Sequence, residues 1–212
     1  MCSGRVDLSF ILRAFANGMD GVFVGGCRLR ECNYITHGNF HALSVVLMFR
    51  KIMQHIGLNP ERLRIQFLSS GEGILLTEVI NDFCRSIREI GPFGQSEGLN
   101  AKGLKLKLAA VAQLIPYLKL VERERLRLPF QSEEEYNRFF DSDELKRLFQ
   151  ELVIDKLAIS EIMLLLKESP LSTAEIAQIL DLSPSEVSKH LNSSSRHGLV
   201  RYNESLKRYA LA

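Results

Sequence analysis

Apolar residues recur at helical spacing over residues 7–17 (DLSFILRAFAN), with Asp7 placed to cap the start and Gly18 to stop the run. GVFVGG (21–26) is a short apolar run closed by glycines, the pattern of a buried parallel strand. A loop follows over 27–38. Asn39 is placed to cap a helix over about 40–56 that Gly57 ends. LRIQFL (63–68) reads as a second strand, and Ser69-Ser70-Gly71 turns the chain into a helix over 72–90 that Gly91-Pro92 closes.

FGQSEGLN (93–100) is a Gly/Ser-type linker. Residues 102–122 are helical in pattern, with Pro116 predicting a kink. ERERLRLP (122–129) reads as a charged exit. Ser132, with acids behind it, caps a helix over 132–140, and 141–157 reads as one further helix. The pattern then changes. IMLLLKE is a core helix. STAEIAQIL carries a capping box between Ser172 and Glu175. Ser183 caps the next helix, with Pro184 at its first position, and LVRYNESLKRYAL reads as two strands around an Asn-Glu-Ser turn. Helix, helix-turn-helix and hairpin together predict a winged helix, because cap, period and turn all agree.

Helix-strand-helix-strand-helix at the N-terminus requires parallel strands joined by a crossover. Two isolated parallel strands make a poor sheet. The expected fold is therefore an α/β N-terminal domain whose small parallel sheet lacks its first strands, then an all-helical middle and a C-terminal winged helix. The boundaries fall at 1–92, 93–157 and 158–212. Either another chain supplies the first strands, or the reading frame omits residues of the natural product.

Composition adds limits. The 212 residues are 46% hydrophobic and 25% charged, enough apolar mass for a core. With 27 basic against 25 acidic residues, the chain is no general polyanion binder. No apolar stretch reaches the roughly 18 residues of a membrane span, and no signal peptide is visible, so a cytoplasmic protein is expected. There is no phosphate loop and no nucleophile–base pair, so no catalytic site is expected in the chain itself.

In a reducing compartment the four cysteines are structural, metal-binding or catalytic rather than disulfide-bonded. Cys84, in VINDFCRSI, reads as a small buried hydrophobe. Cys2, Cys27 and Cys32 lie at loop-like junctions. Three readings stand for them. They are unrelated core thiols; or they bind zinc, with His37 and His41 as further donors although paired knuckles are missing; or they ligate an iron–sulfur cluster. The third reading needs four ligands from flexible loops, and Gly4, Gly25, Gly26 and Gly38 allow it.

CSGRVD, then GGC, ECNY and GN, continuing through PERLRIQF and SSGEG to REIGP, resembles the delta subunit of methyl-viologen-reducing hydrogenase over about residues 1–92. The resemblance implies a small electron-transfer protein with a [2Fe–2S] cluster on Cys2, Cys27 and Cys32. On one side its partner would be a hydrogenase, formate dehydrogenase or aromatic acyl-CoA reductase module. On the other would stand a flavin- and cluster-bearing, heterodisulfide-reductase-like subunit. The family carries a further strand and a cysteine-rich segment before the CSGRVD block, so the fourth ligand is expected from an upstream segment, with Cys84 the weaker substitute. The family tends to have His after the first loop cysteine and Asp-Cys-His-Tyr around the second. Here Arg28 and Glu31-Cys32-Asn33-Tyr34 stand instead. Arg5, Arg28 and Arg30 could raise the cluster potential, or be solvated loop residues.

The winged helix raises the question of DNA. Ser185, Ser188, Lys189, Asn192 and Arg196 are the candidate contacts on its second helix. From Ala158 to Ala212, however, six basic residues face six acidic ones, a poor footprint for phosphate. Docking onto a protein is the preferred reading. The expected function is an iron–sulfur electron-transfer subunit of a redox complex. The rivals are a redox- or metal-responsive winged-helix transcription regulator, and a scaffold holding no cluster.

Overall fold

The computed structural model describes residues 2–34 and 38–212. Helix α1 (Leu8–Ala16) starts where the Asp7 carboxylate accepts from the Ser9 N–H, and Gly18 follows it in the left-handed region. Strand β1 (Val22–Cys27) and strand β2 (Leu63–Leu68) pair in parallel, Val22 against Leu63 through Cys27 against Leu68. Helix α2 (Asn39–His55) connects them and is the most buried element of the fold. Its start differs from the expectation: Gly38 holds the cap position with no side-chain cap, and Asn39 is the first helical residue. The Asn39 side chain is engaged elsewhere, as described below.

Helix α3 (Gly73–Ile90) lies over the sheet with little burial. Phe83 meets Phe23 at 5.7 Å, and Phe83 and Ile87 crowd Gly21, where a side chain would not fit. Cys84, one position round from Phe83, is exposed rather than buried. The reason is that α3 has one narrow inward stripe, and 100° of rotation per residue carries position 84 off it.

The helical middle closes on the same core. Helix α4 (Ala101–Val121), capped by Asn100, runs through Pro116 as one element and presents Val111, Ile115 and Leu118 to the core. Phe15 stacks between Phe49 and Phe93, so the linker is itself part of the packing. Helix α5 (Glu133–Phe140) starts at the Ser132 cap as expected. The single helix expected over 141–157 is divided. Ser142 caps helix α6 (Asp143–Phe149), and a π-helical turn over 150–154 leads into helix α7 (Asp155–Glu168). The boundary expected at 157/158 therefore falls inside α7. Leu157 belongs to the large N-terminal core and Ile162 to a second, smaller one.

That second core serves the winged helix. Helix α8 (Thr173–Leu180) and helix α9 (Pro184–Arg196) both start on complete capping boxes, Ser172/Glu175 and Ser183/Glu186. Strands β3 (Val200–Asn203) and β4 (Arg208–Leu211) pair antiparallel, and Leu171 adds a bridge to Tyr209. Ile162, Ile176, Val187, Leu191 and Val200 fill the space between them. No described helix is long and apolar enough to cross a membrane.

A candidate three-thiol metal centre

Ligands of parallel α/β sheets gather outside the carboxyl ends of the strands, because loops and helix starts converge there. Cys27 is the last residue of β1, and Cys32 lies in the loop that follows. Cys2 caps a 3-10 turn over Ser3–Arg5 that packs against β1, and its sulfur accepts from the Gly4 N–H at 3.3 Å. Sequence positions 2, 27 and 32 thus arrive at one end of the sheet from three directions.

The sulfurs of Cys2 and Cys32 are 3.7 Å apart. All four cysteines are free. A disulfide would require about 2.05 Å, whereas a tetrahedral metal with sulfur at about 2.3 Å holds two sulfurs roughly 3.8 Å apart. Crowding by neighbouring atoms pushes the Cys27 thiol up, although the residue as a whole is exposed, and its proximity to Cys32 and Cys2 pushes in the same direction. Cys32 is buried, which opposes ionisation. The Tyr34 and Asn39 N–H groups and the two neighbouring thiols outweigh that, and its thiol ionises more readily than an ordinary cysteine. Among the described residues, no three His, Cys, Asp or Glu side chains are tight enough to hold a single metal ion. A two-iron cluster makes no such demand, since its ligands divide between two metals.

Glycine makes the close approach possible. A Cβ at Gly38 would run into the Cys32 sulfur and the Tyr34 carbonyl. At Gly26 it would press on the Ser3 hydroxyl at 3.0 Å and on the Phe67 ring at 3.1 Å. Free thiols, a 3.7 Å spacing between two of the sulfurs, an N–H donated to the Cys2 sulfur and a cradle without side chains are compatible with thiolate ligation of a metal group.

Asn39 was missed as a site residue. It is 1% exposed, and its Nδ2 donates to the Cys27 carbonyl at 2.9 Å, to the Arg28 carbonyl at 2.7 Å, and toward the Cys27 sulfur at 3.7 Å. The GN pair in the sequence was the available signal, but it reads as a helix start.

The charged neighbours are mostly committed. Arg28 is paired with Glu72 at the start of α3, its Nε donating at 3.1 Å. Arg30, in the left-handed region, donates from Nε to the Gln131 carbonyl at 3.1 Å. Arg5 is exposed. His41 is no free zinc donor: its Nδ1 lies 3.1 Å from Glu122, which Arg127 also bridges at 2.9 Å. Glu122 is buried, although it belongs to a segment that reads as a charged exit. Burial opposes its ionisation, but His41 and Arg127 prevail and hold the carboxyl below the ordinary carboxylate range. His37 lies outside the described residues.

On α9, Ser185, Lys189, Asn192 and Arg196 are exposed and Ser188 is half-buried. Lys189 lies 3.5 Å from Asp155.

Comparison with known proteins separates the same two parts. Residues 160–202 match the family model described as bacterial regulatory protein, arsR family. Residues 1–91 match the one described as methyl-viologen-reducing hydrogenase, delta subunit. Among curated proteins, the iron-sulfur subunit of the F420-non-reducing hydrogenase of Archaeoglobus profundus is 45% identical over 92 residues, 43% of this chain and 66% of that protein. A subunit of the ferredoxin/F(420)H(2)-dependent CoB-CoM heterodisulfide reductase of Methanosarcina acetivorans is 46% identical over 94 residues, 44% of this chain but 12% of that protein. The vhu iron-sulfur subunit of the F420-non-reducing hydrogenase of Methanopyrus kandleri is 35% identical over 91 residues, 43% of this chain and 68% of that protein. The chain thus spans just under two thirds of the first of these relatives and about an eighth of the second. Through the region that carries Cys2, Cys27 and Cys32, the chain belongs to the methyl-viologen-reducing hydrogenase delta subunit family.

Proposed function

We propose that this chain is an iron–sulfur electron-transfer subunit of a cytoplasmic redox complex, with Cys2, Cys27 and Cys32 as cluster ligands. The observation that carries the reading is the 3.7 Å spacing of the Cys2 and Cys32 sulfurs beside Cys27, within the family-matched residues. A [2Fe–2S] cluster takes four ligands, so these three leave one position for a donor outside the triad. When bound, the cluster accepts one electron and gives it back.

The chain's own residues hold and tune it. Cys32, buried under the Gly38 backbone, anchors the site from inside, and Cys27 is exposed. Backbone and Asn39 N–H groups offset negative charge on the sulfurs. The names of the relatives point to the neighbours. Those names are of hydrogenase and heterodisulfide reductase subunits; on the family resemblance, electrons pass between a hydrogenase, formate dehydrogenase or aromatic acyl-CoA reductase module and a flavin-containing heterodisulfide-reductase-like subunit. The winged helix then serves as the docking module.

The test is an iron and acid-labile sulfide count on the chain with the expected upstream segment restored, purified without oxygen and reconstituted. About two irons per chain and a one-electron paramagnetic signal on reduction are expected, and Cys27→Ser or Cys32→Ser abolishes both. An iron-free wild-type chain refutes the reading.

The regulator-family match over 160–202 favours a second reading, a winged-helix DNA contact governed by the thiols. A gel shift against the chain's own promoter across a salt series separates the two. Tight, sequence-specific retention supports the regulator. Weak retention that salt abolishes supports the carrier.

A further inference from the structure

We propose that Asn39 is the positioning residue of the thiol site, its side-chain amide clamping the Cys27 loop to α2 and raising the potential at which the cluster is reduced. The inference rests on the cluster reading above and goes beyond it, because it assigns a role to a residue that ligates nothing.

The geometry is specific. One amide group carries two hydrogens and has three acceptors in reach: the Cys27 carbonyl at 2.9 Å, the Arg28 carbonyl at 2.7 Å and the Cys27 sulfur at 3.7 Å. Two short bonds to successive carbonyls fix the chain where it leaves β1. The longer contact lies along the direction of a ligating sulfur. Asn39 is buried at the first position of α2, so it is held from behind by the most buried helix of the fold. Helix N-termini also favour negative charge, and that field adds to the amide's. Reduction adds one negative charge to the site. With both hydrogens on the carbonyls, the positive end of the amide dipole still lies 3.7 Å from the Cys27 sulfur, and it stabilises the reduced form more than the oxidised one, so the potential rises. A residue serving only to start the helix would turn its side chain back onto α2, whereas the Asn39 amide is turned onto the chain leaving β1.

The experiment compares the full-length wild type with Asn39→Ala, Asn39→Asp and Asn39→Ser, each reconstituted without oxygen. Iron content, circular dichroism and the midpoint potential from an EPR-monitored redox titration are measured. Removing the donor in Asn39→Ala shifts the reduction equilibrium about threefold to tenfold toward the oxidised form, or about 28 to 59 mV for one electron. Asn39→Asp, which places a carboxylate at the same distance, lies lower still. Asn39→Ser keeps a shorter donor and falls between wild type and Asn39→Ala. That order is a signature a purely structural role would not produce.

Folded variants that lose iron while the wild type keeps it support the positioning half of the proposal. Iron-bearing variants with the wild-type potential overturn it. If only one variant folds, its potential alone decides. A wild type that holds no iron instead brings down the cluster reading itself, so the two failures are distinguishable.

Discussion

Arg62 and Glu97 form a buried ion pair, Nε to Oε1 at 2.6 Å, that ties the turn before β2 to the linker behind the family-matched region. Arg62 is fully buried. It also donates to the Asp20, Gly91 and Pro92 carbonyls and lies over the Phe93 ring. Glu97 in turn accepts from the Asn59 and Gly94 N–H groups. Every hydrogen-bonding direction at this joint is used. Glu97→Ala leaves a buried guanidinium without its counter-charge and costs about 3 to 5 kcal/mol, read by urea denaturation. A loss below about 1 kcal/mol would mean that the pair is solvated in solution.

The same carboxylate gives the fold an acid limit. Burial opposes ionisation of both Glu97 and Glu122, but their partners overcome it, Arg62 for the one and His41 with Arg127 for the other. Both carboxyls are held below their ordinary value of 4.5. The unfolded chain therefore binds protons more readily than the folded one. This stabilisation is fully present above about pH 4.5 and is lost as pH falls through the folded values. The melting temperature should fall as pH is lowered from 5 to 3, and Glu97→Gln with Glu122→Gln should flatten that fall. An unchanged slope in the double variant would place the acid sensitivity elsewhere.

The two cores predict separable damage. Leu191 is fully buried in the small cluster under the winged helix. Leu191→Ala should destabilise that unit by about 2 to 5 kcal/mol while the N-terminal region keeps its iron. Hydrogen exchange should show α8, α9 and the hairpin losing protection first. Loss of iron in this variant would show that the two units are coupled through α7.

Thiol chemistry distinguishes the four cysteines. Cys84 is exposed on α3, away from the family motif. In the reconstituted protein it should be the one thiol that iodoacetamide modifies within minutes. Removing iron with a chelator should expose Cys27 next, because Cys32 is buried. Equal labelling of Cys27 and Cys84 before iron removal would mean that Cys27 is no ligand.

Much of the fold is legible in the chain because its signals are local. Asp7, Ser132, Ser172 and Ser183 cap their helices as their neighbours predict, and Gly18, Gly57 and Gly91 all adopt positive φ at helix ends. The parallel strands and the wing follow from run length and turn residues. What escapes a sequence reading is non-local. Arg62 and Glu97 are 35 positions apart, and nothing periodic joins them, so the linker reads as a plain Gly/Ser stretch. Glu122 reads as solvated because one partner, His41, lies 81 positions earlier, although the other, Arg127, is five residues on. Asn39 has the composition of a helix cap, yet its partners are carbonyls 11 and 12 residues earlier. Cys84 is misread because an amphipathic helix with a narrow contact stripe looks, in sequence, like one with a broad stripe.

The thiol site divides along the same line. Motif and resemblance single out Cys2, Cys27 and Cys32, but only the structure gives the 3.7 Å between two of their sulfurs. Iron K-edge X-ray absorption on the reconstituted full-length chain tests the central claim most directly. The expected result is a first shell made of sulfur with a second iron as neighbour, both lost in Cys32→Ser. Iron in a shell of oxygen or nitrogen, or no iron retained after desalting, would contradict it.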